Sequence, residues 1–200
     1  YGQCFKFIKI NQKISNIKEI EKLVRKKKIC YFTHCSYPKL KISKNEINLD
    51  NQKFLFNIQQ QLFIPLKISL MLINYFKSLK FGKIILLSSI QGISAPKFEH
   101  YFGTKMSSPL DYTIVKSSII SMMKYLAKKY GKYNININCV SPGGIFANQN
   151  KKFIKKYNSS CIKKGLLNGS DISGSIIFLL SSDSNYINGQ NIIIDDGWSL

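Results

Sequence analysis

Apolar residues fall into two alternating patterns along the chain: short continuous runs, and longer stretches of helical period. A continuous run suits a strand buried on both faces, and apolar positions three and four apart suit a helix with one covered face. Residues 5–10 form the first short run, and Ser15 can cap a helix whose Ile17, Ile20, Leu23 and Val24 share a face. Residues 29–33 read as a strand leading to a turn at Pro38. A long helical stretch covers 51–79, with Pro65 expected to kink or break it. Gly82 opens a buried strand over 83–89, and a loop of about 20 residues separates it from a helix over 111–130. A strand over 134–140 stops at Ser141-Pro142-Gly143-Gly144, and a helix over 171–180 and a strand over 190–194 follow. This rhythm predicts one α/β domain over 1–200, a parallel sheet doubly wound with helices on both faces. No internal repeat or linker divides it.

Charge changes the picture less than its size suggests. The chain has 30 basic and 10 acidic residues, a formal net of +20, a balance that can mark a nucleic-acid partner. Arg25 is the only arginine, however, and arginine is the residue suited to bidentate phosphate and base recognition. Abundant Lys, Ile, Asn, Phe and Tyr are what an A+T-rich genome imposes. The runs at 25–28 and 151–156 therefore read as solvated helix ends, and no specific nucleic-acid partner is expected. No segment has the roughly 20 uninterrupted apolar residues of a membrane span. Residues 62–76, which carry Lys67, read as a buried helix, and no membrane partner is expected.

Cys4, Cys30, Cys35, Cys139 and Cys161 are odd in number and irregular in spacing. They fit neither a disulfide framework nor a zinc pattern, even with His34 beside Cys35. Free thiols, no metal and a reducing, cytoplasmic compartment are expected. No secretory leader is visible, and the chain begins at Tyr1 and not at Met, which leaves targeting open.

Tyr112-Thr113-Ile114-Val115-Lys116 places a phenol and an ammonium on one helix face. A nearby cation favours the phenolate, and a tyrosine tuned this way can move the proton that accompanies hydride transfer. By itself this spacing arises by chance on many helices. Upstream, Ser88-Ser89-Ile90-Gln91-Gly92 ends a buried strand, where open α/β sheets place their ligands. Downstream come Asn138-Cys139-Val140-Ser141-Pro142-Gly143-Gly144-Ile145, then residues 182–190 and Asp195-Asp196-Gly197-Trp198.

In this order the set resembles the short-chain dehydrogenase/reductase family, whose fold is Rossmann-like. The resemblance implies NAD or NADP as cofactor, with Tyr112 as acid/base and Lys116 lowering its pKa and holding the nicotinamide ribose. Ser89 would hold the substrate oxygen, and Pro142, Gly143, Gly144 and Ile145 would lie along the nicotinamide. An Asn in a proton relay with the lysine is implied as well. Asn57 is the candidate, with Gln59 to Gln61 competing for the position. The insertion between Ser89 and Tyr112 resembles the branch associated with flagellin modification and surface-sugar synthesis, and is expected to border the substrate pocket. A sugar phosphate or nucleotide sugar, and a homo-oligomeric state, are implied. A 3-oxoacyl-thioester reductase is the alternative within the family.

The sequence also departs from the family. Its Gly-rich diphosphate loop and second strand have no counterpart here, and residues 5–10 match the third strand. Roughly the first fifty residues of a typical member are thus expected to be missing. His34-Cys35-Ser36 stands where Asn-Asn-Ala is usual. An inactive remnant is accordingly the rival to an enzyme.

Overall fold

A computed structural model describes residues 17–35 and 50–200. The run at 5–10 and the cap at Ser15 lie outside the described residues. Four parallel strands, β1 (Tyr31–His34), β2 (Gly82–Leu87), β3 (Ile135–Pro142) and β4 (Asn191–Ile194), pair in that order.

Side chains alternate across a strand, so each strand feeds two cores. Ile84 and Leu86 of β2 and Ile137 and Cys139 of β3 face helices α1 (Ile17–Lys26), α3 (Ile64–Leu79) and α4 (Leu110–Tyr130). Ile85 and Val140 face α6 (Gly169–Leu180) on the opposite side. The doubly wound arrangement is therefore present among the described residues.

The helical stretch at 51–79 is not uniform. Helix α2 (Asn51–Ile58), capped by the Asp50 carboxylate on the Lys53 N–H, passes into a π turn at Gln59–Phe63 before α3 begins. Pro65 sits in the first turn of α3, directly after the π turn, and the helical stretch continues through it. By length and composition Asn51–Leu79 could cross a membrane, with a mean hydropathy of 1.3. One face of it packs into the core, with Leu72 and Phe76 wholly buried beneath the sheet, while Leu55, Phe56, Phe63 and Leu70 stay exposed.

One helix goes beyond the sequence reading. The basic run at 151–156 forms most of α5 (Lys151–Asn158), capped by Asn150, which turns Phe153 and Tyr157 inward. On the α6 face, buried Asn136 and Asn138 both donate to the Ile187 carbonyl, at 3.0 and 2.9 Å. These bonds hold the loop before β4 against β3.

Candidate active site

The carboxyl ends of β1, β2 and β3 converge on a cavity of about 310 Å³. Ser88 and Ser89 follow β2 directly, and the Ser88 hydroxyl donates to the Lys116 carbonyl at 2.7 Å, tying the strand end to α4. Gly92 allows this approach. A Cβ there would lie 2.8 Å from the backbone carbon and oxygen of Lys116 and 2.8 Å from Ser88 Oγ. The spacing Ser89-x-x-Gly92 is thus a packing requirement that sets a short turn against α4.

Across that contact the Ser89 hydroxyl hydrogen-bonds the Tyr112 phenol. The Lys116 ammonium lies 5.5 Å from the centre of the Tyr112 ring and donates to the Leu87 carbonyl at 3.2 Å. Ser89, Tyr112 and Lys116, predicted separately, therefore share one wall of the cavity.

The expected lowering of the phenol by Lys116 is not what this geometry gives. Burial raises the Tyr112 pKa above its ordinary value, against a smaller downward pull from Ser89. The same burial brings Lys116 down to about 8. Desolvation disfavours both charged forms, and an ammonium over the ring does not offset it at the hydroxyl.

Asn57 is buried, but its amide donates to the Asp111 carboxylate. Its competitor Gln61 lies in the π turn, 4% exposed, with Oε1 buried and without a hydrogen-bond partner among the described residues. Neither amide is among the residues that line the cavity, and the relay position stays open between them.

The turn after β3 also borders the cavity. The Gly143 N–H donates to the Ile194 carbonyl at 2.8 Å, and the Gly144 N–H to the Tyr157 hydroxyl at 2.5 Å. The Ile145 carbonyl accepts from Gln149 Nε2 at 2.6 Å. A Cβ at Gly144 would come within 2.5 Å of Leu166 Cδ2, so a larger residue there would have to displace the Leu166 side chain. A backbone-lined turn beside a buried ammonium fits the nicotinamide and ribose end of a dinucleotide. Among the described residues nothing matches the Gly-rich diphosphate loop, so the fit extends to that end only.

The insertion is an ordered part of the wall. Residues Phe98–Tyr101 form a 3-10 turn, and Lys156 Nζ of α5 donates to the Glu99 and Phe102 carbonyls, each at 3.0 Å. His100 is buried against Phe153, Tyr157 and Trp198, with Nε2 2.9 Å from Ser160 Oγ. Burial lowers its pKa. Tyr101 accepts from Gln91 at 3.3 Å, and Gln91 in turn accepts from Ser108 at 2.6 Å. Sequence reasoning gave no role to Tyr157, Trp198 or Gln91. Tyr157 had a signal in the apolar spacing Phe153, Tyr157 within a lysine-rich run; Gln91 had none. Among the described residues no cluster of His, Cys, Asp and Glu could hold a metal ion.

Comparison with known proteins agrees with this geometry. The profile of the family described as enoyl-(acyl carrier protein) reductase matches residues 37–199. The post-translational flagellin modification protein A of Campylobacter coli is 44% identical over 128 residues, 64% of this chain and 50% of that protein. The 7alpha-hydroxysteroid dehydrogenase of Bacteroides fragilis is 32% identical over 124 residues, 60% of this chain and 44% of its own length. The chain spans about half the length of these curated relatives. A short chain dehydrogenase of Leptospira borgpetersenii, solved with bound NAD+, superposes with a TM-score of 0.83 at 32% identity, covering 95% of this chain and 72% of that one. The parallel sheet, the Ser89–Tyr112–Lys116 wall and the extent of the profile lead to one assignment: the chain belongs to the short-chain dehydrogenase/reductase family.

Proposed function

We propose that this chain carries the reaction centre of an NAD(P)-dependent oxidoreductase that interconverts an alcohol and a ketone on a sugar-derived substrate, in flagellin or surface-glycan modification. The observation that carries the reading is the Ser89 hydroxyl on the Tyr112 phenol beside Lys116, at the carboxyl edge of the sheet. The likeness to the flagellin modification protein supports the choice of substrate.

When bound, the nicotinamide supplies or accepts the hydride. Lys116 and the turn Pro142, Gly143, Gly144 and Ile145 would hold its ribose and carboxamide. Ser89 holds the substrate oxygen against Tyr112. In the reducing direction the carbonyl carbon gains the hydride and its oxygen gains the Tyr112 proton. A phenol kept protonated by burial is equipped for that donation. In the oxidising direction the same groups run in reverse. Exposed Leu55, Phe56, Phe63 and Ile114 on α2 to α4 suit a homo-oligomeric contact, and a cytoplasmic setting completes the proposal.

The test is oxidation of NADH or NADPH by the full chain against a panel of keto-hexose derivatives. Turnover is expected, with Ser89→Ala lowering kcat by about a hundredfold. A folded chain that binds neither NADH nor NADPH and turns over none of the panel would support the inactive remnant instead.

A further inference from the structure

Lys97 precedes the 3-10 turn of the insertion and lies in the cavity wall. Its Nζ donates to the Trp198 carbonyl at 3.0 Å and sits 4.7 Å from the centre of the Trp198 ring. An ammonium has three N–H donors, so this bond leaves capacity for a ligand. Among the described residues the ion pairs are Arg25–Glu21, Lys53–Asp50 and Lys164–Asp171, so no carboxylate pairs with Lys97. None lines the cavity either.

The cavity's other cation, Lys116, is directed to the Leu87 carbonyl beside Tyr112. Lys97 is tied to Trp198 instead, on the wall that the insertion, α5 and the chain's last residues build together. Gln91, Gln149 and Tyr101 add neutral hydrogen-bonding groups to the lining. Such a lining favours a ligand with hydroxyls and negative charge. An anion beside the ammonium recovers its desolvation cost through a charge-assisted bond, whereas a neutral ligand would cover Lys97 without a counter-charge.

We propose that Lys97 is the anion-recognising residue of the substrate pocket, and that the substrate is an acidic sugar whose carboxylate or phosphate lies away from the reacting carbon. The proposal rests on the dehydrogenase reading of the site and adds the charge of the substrate. Lys156, through its two bonds to the insertion backbone, holds the segment that presents Lys97.

Trp198 is the only tryptophan of the chain, so its fluorescence reports on this subsite without any turnover. The full chain is titrated with glucuronate, glucose 6-phosphate and glucose. At least one acid is expected to bind about tenfold or more tightly than glucose, and the comparison of the two acids separates carboxylate from phosphate. Lys97→Met should erase the preference, and Lys97→Arg should retain most of it. Lys97→Gln gives a second reading should the methionine variant fold poorly. Lys128→Met, on the exposed face of α4, should change nothing, which controls for the net charge of +20.

Equal binding of glucose and both acids, an acid preference that survives in Lys97→Met and Lys97→Gln, or a Trp198 signal that answers to neither acid would each overturn the proposal. Tyr112→Phe should keep the acid preference. A chain with that preference and no turnover fails the dehydrogenase reading alone, and an active chain without it fails the Lys97 subsite alone.

Discussion

At the end of β1, His34 shares its surroundings with Lys116, and burial together with that neighbouring charge lowers the imidazole from 6.5 to about 4. The unfolded chain therefore takes up this proton first as the pH falls. His34's contribution to stability is complete above pH 6.5 and is lost as the pH falls towards and through about 4. The shift corresponds to at most about 3 kcal/mol, less after solvent screening. The melting temperature should drop between pH 6.5 and 4, and His34→Asn should flatten part of that drop. An identical slope in the variant would show that His34 does not carry it. His100, lowered by its own burial, adds to the same trend. Ser89, Tyr112 and Lys116 could be singled out from the sequence through the order of their motifs, and the structure brings them to one wall. The sign of the Tyr112 shift was not legible. It depends on how deeply the folded chain buries the phenol, which no local spacing encodes.

The elements show the same division between local and tertiary information. Strands β2 and β3 were readable because both faces are covered, and each stays apolar where it meets a core. The exceptions on β3, Asn136 and Asn138, spend their amides on the loop before β4. The π turn at Gln59–Phe63 adds a residue to the helical repeat, so a pattern read at 3.6 residues per turn runs out of phase beyond Ile58 and does not decide between Asn57 and Gln61. Helix α5 was read as solvated lysines because only Phe153 and Tyr157 face inward. The turn at Gly92 carries the sharpest test at this scale. In Gly92→Ala the new Cβ must push α4 away from Ser88 and Ser89. A loss of about 1–3 kcal/mol of stability is expected, with kcat falling by more than about tenfold while cofactor affinity holds. Wild-type kcat in this variant would mean that the contact between the turn and α4 does not set the site.

Over the whole molecule, Ser89, Tyr112 and Lys116 meet at the carboxyl edge of four parallel strands, and the insertion, α5 and the segment around Trp198 enclose that edge. The net charge of +20 is spread over lysines that form few ion pairs among the described residues, so it describes the surface more than the site. Lys97 and Lys116 are the exceptions that reach the cavity. The chain's place in its family rests on the fold and the profile; the chemistry proposed for it rests on Tyr112. The measurement that tests this most directly is turnover and NADH or NADPH binding by the full chain and by Tyr112→Phe, measured side by side. The variant should lose at least about a hundredfold in kcat and keep cofactor affinity within about twofold. Near-normal turnover in Tyr112→Phe, or lost cofactor binding in a variant that folds normally, would contradict the role given to Tyr112.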